Sequence, residues 1–222
     1  MITIENVETA GWEPAARGMR NPMNSWSKAD SGWGQYSIIG YKNIPQQNNF
    51  YYHIGPDDGD LMMRLRNAGT DHRKFLRMII CYVDITAPLY WWKEADTYRN
   101  GVEKNSCSTM HKISEHEFTL DDFSVEHLEW QNLDVVKQTI SRLNVSRMQY
   151  LNEGKTKDLW WQMIQLLPST YNQRRTVMMS YEALANMYHA RKAHKLDEWR
   201  EFCKWIKTLP FSELITGDEI NE

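Results

Sequence analysis

The sequence lacks most of the signatures that assign a chemistry at sight. It has 3 cysteines in 222 residues, Cys81, Cys107 and Cys203. An odd count with no CxxC pair supports neither a disulfide framework nor a zinc site. Long apolar runs are missing too. Met78-Ile79-Ile80-Cys81-Tyr82-Val83 is the longest, far short of the roughly 20 residues that span a bilayer. The start, MITIENVETAGWEP, is acidic and has no basic flank leading into an apolar run. No signal peptide is expected, and the expected location is cytoplasmic. Neither sign of charge dominates: 26 Lys+Arg against 29 Asp+Glu leave −3. That balance argues against bulk electrostatic binding to nucleic acid or an anionic membrane, but leaves room for a local phosphate pocket. GxGxxG, the P-loop lysine motif, HExxH and GxSxG are all absent.

Aromatic residues are plentiful, with 10 Trp, 11 Tyr and 6 Phe. They supply large flat surfaces with polar tips. Composition leaves open whether those surfaces are core, interface or ligand platform. A hydrophobic share of 41% beside 25% charged residues reads as globular rather than disordered.

Residues 1–60 hold most of the chain's Gly and Pro, from Gly18 and Pro22 to Gly55, Pro56 and Gly59. Short elements and turns are expected there. Asp57-Asp58 opens a helix that ends near Gly69. Phe75, Ile79, Cys81, Val83 and Ile85 predict a strand from Phe75 to Ile85. Thr86 then reads as a helix cap, with Pro88 in the first turn of a helix running from Leu89 to about Arg99. Asn100-Gly101 ends it. Ser114 to Glu126 reads as a loop with a short helix. Leu133, Val136, Ile140, Leu143, Arg147 and Leu151 predict an amphipathic helix closed by Asn152-Glu153-Gly154. Leu159 to Leu167 predicts another, stopped by Pro168. Tyr181 to Lys207 reads as two helices meeting near His194-Lys195-Leu196-Asp197. The class is α+β with helix dominant. One domain is expected, with an irregular segment over 1–60, a core over 61–209 and a tail over 210–222.

Several clusters have two readings. His111, His116 and His127 lie near Asp121 and Asp122, but their spacing fits no compact metal-ligand pattern, and no metal is expected. Cys107 with His111 is either a nucleophile pair or an ordinary exposed turn. Trp91-Trp92 and Trp160-Trp161 either stack bases or cover a helix interface.

Two blocks of the chain resemble the flavin-dependent thymidylate synthases. In the first, Asp71 to His111, Ala87-Pro88 is similar to that family's Ala-Pro turn. That placement puts His72 on the family's His with no gap. Lys93-Glu94 then falls on its Arg-Gln, and Thr97-Tyr98-Arg99 on its Arg-His-Arg. One inserted residue later, Asn105-Ser106-Cys107-Ser108-Thr109-Met110-His111 falls on Asn-x-x-Ser-x-Arg-Tyr. In the second block, Leu167-Pro168, Tyr171 and Leu184-Ala185-Asn186-Met187-Tyr188-His189-Ala190-Arg191 resemble the family's Leu-Pro, Tyr and Leu-x-Asn-Phe-x-x-x-Arg. Glu198-Trp199-Arg200 resembles its Glu-Ile-Arg. The sequence departs from the pattern at Thr97, Tyr98, Met110 and Glu94, and at Ser180-Tyr181-Glu182, where the family has Asn-x-Arg. Gln165 or Ile164 stands where the family has a cation. In the family these groups hold the flavin and the nucleotide phosphate.

The resemblance implies a helix-dominated α+β fold with a small antiparallel sheet, similar to the thymidylate synthase-complementing proteins. It implies reductive methylation of dUMP or a related pyrimidine nucleotide, with FAD as cofactor and NADPH and methylenetetrahydrofolate as co-substrates. Sites shared between subunits of a homotetramer are implied as well, and a phage or prophage source suits so diverged a copy. Arg191 matches the Arg that contacts the pyrimidine, and stands as the catalytic candidate. A fixed guanidinium stabilises charge developing on a ring carbonyl without titrating; the alternative is a helix-surface ion pair. Arg99, Asn105, Ser106, Cys107, Ser108 and Arg191 are the substrate-binding candidates. The Asn105–Ser108 run is either a phosphate-holding turn or a Ser-rich turn with an Asn cap. His72, Tyr98 and Asn186 are the candidates for contact with FAD. Arg174-Arg175 either replaces lost phosphate charge or is a solvated face. Three functions follow: a divergent enzyme of this type, a lapsed homologue that binds or sequesters a nucleotide, or an interaction protein without a small ligand.

Overall fold

The computed structural model describes residues 1–217. Its elements run β1 (Thr3–Ala10), α1 (Trp12–Met19), β2 (Gly32–Gly34), β3 (Lys42–Pro45), β4 (Tyr51–Ile54), α2 (Pro56–Asn67), β5 (Ile80–Pro88), α3 (Leu89–Ala95), β6 (Val102–Ser106), α4 (Trp130–Asn152), α5 (Lys157–Leu166), β7 (Asn172–Ser180), α6 (Tyr181–Arg191), α7 (Asp197–Ile206) and α8 (Glu213–Thr216). A four-stranded sheet has the order β1-β5-β7-β6, and a three-stranded sheet the order β2-β4-β3. In the smaller sheet both pairings are antiparallel, with Trp33 opposite Tyr52 and Asn43 opposite His53. The class is α+β, helix dominant, with small sheets.

The chain divides into two compact units. The first comprises Met1–Glu5, Asp84–Thr97 and Lys104–Val177. Its α4 and α5 pack on each other, and Ile113, Phe118, Phe123, Ile140, Leu143 and Met163 form a buried cluster there. Trp91 and Trp92 are also buried, with rings edge to face at 4.8 Å. Trp92 Nε1 donates to the Gln173 carbonyl at 2.9 Å. A buried indole needs such a partner. This pair is therefore core packing, whereas Trp161 is 38% exposed.

The second unit comprises Asn6–Val83, Tyr98–Glu103 and the chain from Met178 onward. Its α1 buries Trp12, Ala15, Ala16 and Met19, a spacing of three and four residues that puts them on one face. Trp12 packs edge to face on Tyr181 at 5.2 Å. The preceding Gly11 has φ +85°, and a Cβ there would sit 2.0 Å from the Met78 carbonyl oxygen. No other residue fits that turn. In α2, Pro56 takes the first turn beside Asp57 and Asp58, and Arg64 and Arg66 lie in the last. Both placements suit the helix dipole.

The helices over 57–69, 133–152, 159–167 and 181–207 form close to where periodicity and breakers place them. Other expectations need correction. Residues 1–60 include an eight-residue strand and an eight-residue helix. β1 is largely exposed and so lacks the alternation that marks a half-buried strand. Within α1, Pro14 and Gly18 mask the helical period. Phe75 belongs to a 3-10 turn over Arg73–Arg77, and β5 starts at Ile80. Thr86 lies inside β5, and Pro88 with φ −66° and ψ 151° is the residue before α3. That helix stops at Ala95. The stretch from Pro210 is more than a tail: α8 buries Leu214 and Ile215 completely. The remainder of that stretch, 218–222, lies outside the described residues.

Candidate functional site

Tyr98 and Arg191, 93 residues apart, meet in the second unit. Arg191 is the last residue of α6, and its Nε donates to Tyr98 Oη at 3.0 Å. Its guanidinium carbon lies 4.9 Å from the Trp199 ring centre and 5.6 Å from that of Tyr98. Trp199 is fully buried on α7 and meets Tyr98 edge to face at 6.0 Å. Cation–π contact with the two rings contributes about 0.5–2 kcal/mol. Arg99, next in sequence, is exposed and makes no ion pair among the described residues.

His72 and Asn186 belong to the same unit. His72 is exposed and precedes the 3-10 turn. The neighbouring Arg73 pairs with Glu182 at 3.0 Å and reaches Asn186 Oδ1 at 3.5 Å. Among the described residues the Asn186 amide hydrogens are uncommitted. Lys74 and Arg77 on the same turn are exposed and have no ion pair among the described residues. Asn186 and Arg191 lie five positions apart on α6, about 140° around the helix at 100° per residue. They therefore face different ways and serve different groups.

Asn105, Ser106, Cys107 and Ser108 fall in the first unit, at and just beyond the end of β6. Much of this turn's hydrogen bonding is internal. Cys107 N–H donates to the Arg174 carbonyl at 2.9 Å, and its carbonyl accepts from Gln173 Nε2 at 2.7 Å. Ser108 Oγ accepts from His111 N–H at 3.0 Å. The side chains of Asn105 and Ser106 remain exposed. Of the two readings of Arg174-Arg175, replacement of phosphate charge loses ground. Arg174 pairs with Asp84 at 2.8 Å and with Glu5 at 3.2 Å. Arg175 pairs with Asp96 at 2.8 Å and lies 4.2 Å over the Trp92 ring.

Two thiols are unsuited to nucleophilic work. Burial pushes Cys81 up to about 12 and Cys203 to about 11, so their thiolates are scarce near neutrality. Cys107 is exposed. Among the described residues no group of three or more His, Cys, Asp and Glu is placed to hold a metal ion. No helix among them is long and apolar enough to cross a membrane.

No family model and no curated protein matches the chain. Solved structures do. One is a crystal structure of Thymidylate Synthase X (ThyX) from Helicobacter pylori with FAD and dUMP, at TM-score 0.65 and 17% identity over 97% of this chain and 98% of that one. Another, of flavin dependent thymidylate synthase ThyX from the same organism complexed with FAD and dUMP, gives 0.64 and 17% over 96% and 98%. The chain has the ThyX fold. The fold class read from the sequence agrees with this. At 17% identity the likeness establishes the fold and leaves function to the site.

Within the ThyX fold, the structure brings Tyr98 to Arg191, and Asn186 to the neighbour of His72. The Asn105–Ser108 run lies in the other unit. Sequence reasoning missed Trp199 as the platform under Arg191, and missed the Arg73–Glu182 pair. Arg73 and Glu182 stand 109 residues apart, and Trp199 meets Arg191 from the following helix, so the period of a single helix marks neither.

Proposed function

We propose that this protein is a divergent flavin-dependent thymidylate synthase that binds dUMP or a related pyrimidine nucleotide. The single observation that carries the reading is the likeness to dUMP- and FAD-bound ThyX over nearly the whole of both chains. Arg191 is the group offered to the pyrimidine, where a fixed guanidinium stabilises negative charge developing on a ring carbonyl. Tyr98 and Trp199 hold it in place. Arg99 is the cation offered to the nucleotide phosphate; the Asn105, Ser106, Cys107 and Ser108 run in the first unit is a separate candidate phosphate-holding turn.

The residues present fit FAD. Asn186 keeps amide hydrogens for a ring carbonyl, His72 adds a second hydrogen-bonding group, and Lys74 and Arg77 on the adjoining turn suit a diphosphate. When bound and reduced by NADPH, flavin supplies the hydride for methylation with methylenetetrahydrofolate. Homotetramer formation belongs to this reading, and light scattering at micromolar concentration tests it; a monomer counts against it.

A lapsed nucleotide binder is the second reading. The carboxylates on Arg73, Arg174 and Arg175 favour it, since each occupies a cation that a phosphate would otherwise meet. The absorption spectrum of the purified protein separates the two. The enzyme reading expects oxidised-flavin bands, before or after incubation with FAD. A protein that stays colourless after FAD and still binds dUMP by calorimetry is the lapsed binder. One that takes up neither ligand defeats both readings.

A further inference from the structure

A groove of about 850 Å3 in the second unit is lined by none of the candidate site residues. Val7–Ala10 of β1 line it together with Trp33, Phe50 and Tyr82. These rings are partly exposed, Trp33 at 46%, Phe50 at 40% and Tyr82 at 42%. Trp33 and Phe50 stack nearly parallel, 5.3 Å apart at 9°. The indole is held in place by Nε1, which donates to Glu13 Oε2 at 2.9 Å. Among the described lining residues Glu8 is the one charged side chain.

β1 ends the four-stranded sheet, so among the described residues one side of it has no strand partner. Such an edge presents backbone N–H and C=O groups that need hydrogen bonds. Gln46 already imitates a partner strand there, its Nε2 donating to the Thr9 carbonyl at 3.3 Å. The edge thus calls for extended polypeptide. The aromatic faces and the Glu8 carboxylate call for a cation. A second copy of β1 is a poor occupant, because it would bring Glu5 and Glu8 against another acidic strand.

We propose that this groove binds an extended polypeptide segment bearing a lysine or arginine, which adds a strand to β1 and lays its cation over Trp33 and Phe50 beside Glu8. The test is fluorescence anisotropy on the full chain with labelled acetyl-Thr-Val-Arg-Val-Thr-amide. The expected result is saturable micromolar binding that salt weakens. Replacing the probe's Arg by Glu weakens it at least about tenfold, as do Trp33→Ala and Glu8→Lys, the scale of a cation–π contact with its ion pair. Glu8 is exposed, so Glu8→Lys keeps the fold, and an unchanged unfolding midpoint checks this. The proposal is overturned if the Arg probe shows no binding at millimolar protein, if the Glu probe binds equally, or if both variants bind like wild type. Free arginine amide binding as tightly as the peptide would reassign the groove to a small cation and overturn it. Trp33-dependent self-association without peptide binding would assign the groove to a second copy and overturn it as well.

Discussion

The ion pair between Arg20 and Asp58 is the most exacting test of how the second unit is held together. Arg20 Nε lies 2.6 Å from Asp58 Oδ1, with the two side chains 4% and 0% exposed. Asp58 Oδ2 also accepts from the N–H groups of Asp30 at 3.2 Å and Ser31 at 3.0 Å. Asp30 returns the contact: its carboxylate accepts from Asp57 N–H and Asp58 N–H, each at 3.0 Å. Gly55 at the helix start has no side chain to cap with, so Asp30 caps α2 from a distant segment. Asp58→Asn keeps the volume but strands the buried guanidinium and turns an NH2 toward donors. Breaking a buried pair from one side costs about 3–5 kcal/mol, a large part of a total of about 5–15 kcal/mol. With a urea slope of about 2–3 kcal/mol/M, the midpoint falls by about 1–2.5 M. Circular dichroism during urea unfolding measures this. Arg20→Met placed on top removes the stranded charge, so the double variant recovers at least about 1 kcal/mol relative to additivity. A loss below about 1 kcal/mol for Asp58→Asn, or strict additivity, would refute the reasoning.

Four further outcomes are expected. Gly11→Ala forces a Cβ to within 2.0 Å of the Met78 oxygen at φ +85°; it should cost more than about 2 kcal/mol in the same unfolding assay, and wild-type stability would contradict the turn. At pH 8 a thiol reagent should label Cys107 at once and Cys81 and Cys203 slowly, because burial lifts those two to about 12 and 11; three fast thiols in the native protein would contradict it. Burial first, then Asp58 and Glu13, lifts Tyr52 from 10.0 to about 12. Between those values the folded state binds more protons than the unfolded one. The Tyr52 contribution therefore holds below pH 10 and drains away as pH rises toward 12, by up to about 1.4 kcal/mol per pH unit; Tyr52→Phe should flatten that slope, and an unchanged slope would sink the assignment. Finally, Arg191→Ala should weaken dUMP binding in calorimetry by about 1.5–3 kcal/mol, and unchanged affinity would remove Arg191 from the site.

Helices with a broad apolar face were legible in the sequence because the 3.6-residue period survives over several turns and breakers close it. α4 shows this, with Ile140 and Leu143 buried, and so does α5, which stops just before Pro168. β7 escaped for the opposite reason: its run Asn172-Gln173-Arg174-Arg175-Thr176 is polar, and its arginines are settled by ion pairs that no local pattern announces. β6 is equally polar. In the candidate site, resemblance marked Tyr98 and Arg191 separately. Their contact closes a loop of 93 residues, and only folding reveals it.

That contact changes what the aromatic surplus means. At position 98 a tyrosine stands where the resembling family keeps a histidine. Either it substitutes for a cofactor-holding residue, or it fills the cofactor's place. The geometry gives it a further task. Tyr98 spends its hydroxyl on Arg191 Nε and sets its ring edge to face with Trp199. A side chain held at both ends is poorly placed to rearrange around a ligand, but well placed to keep a guanidinium in one orientation. Electrostatic stabilisation depends on such preorganised groups more than on their number. Arg174 and Arg175 are committed to carboxylates. Under the proposed function, Tyr98 and Trp199 act through the position of one arginine. Tyr98→Phe should therefore disturb Arg191-dependent binding while leaving the fold intact.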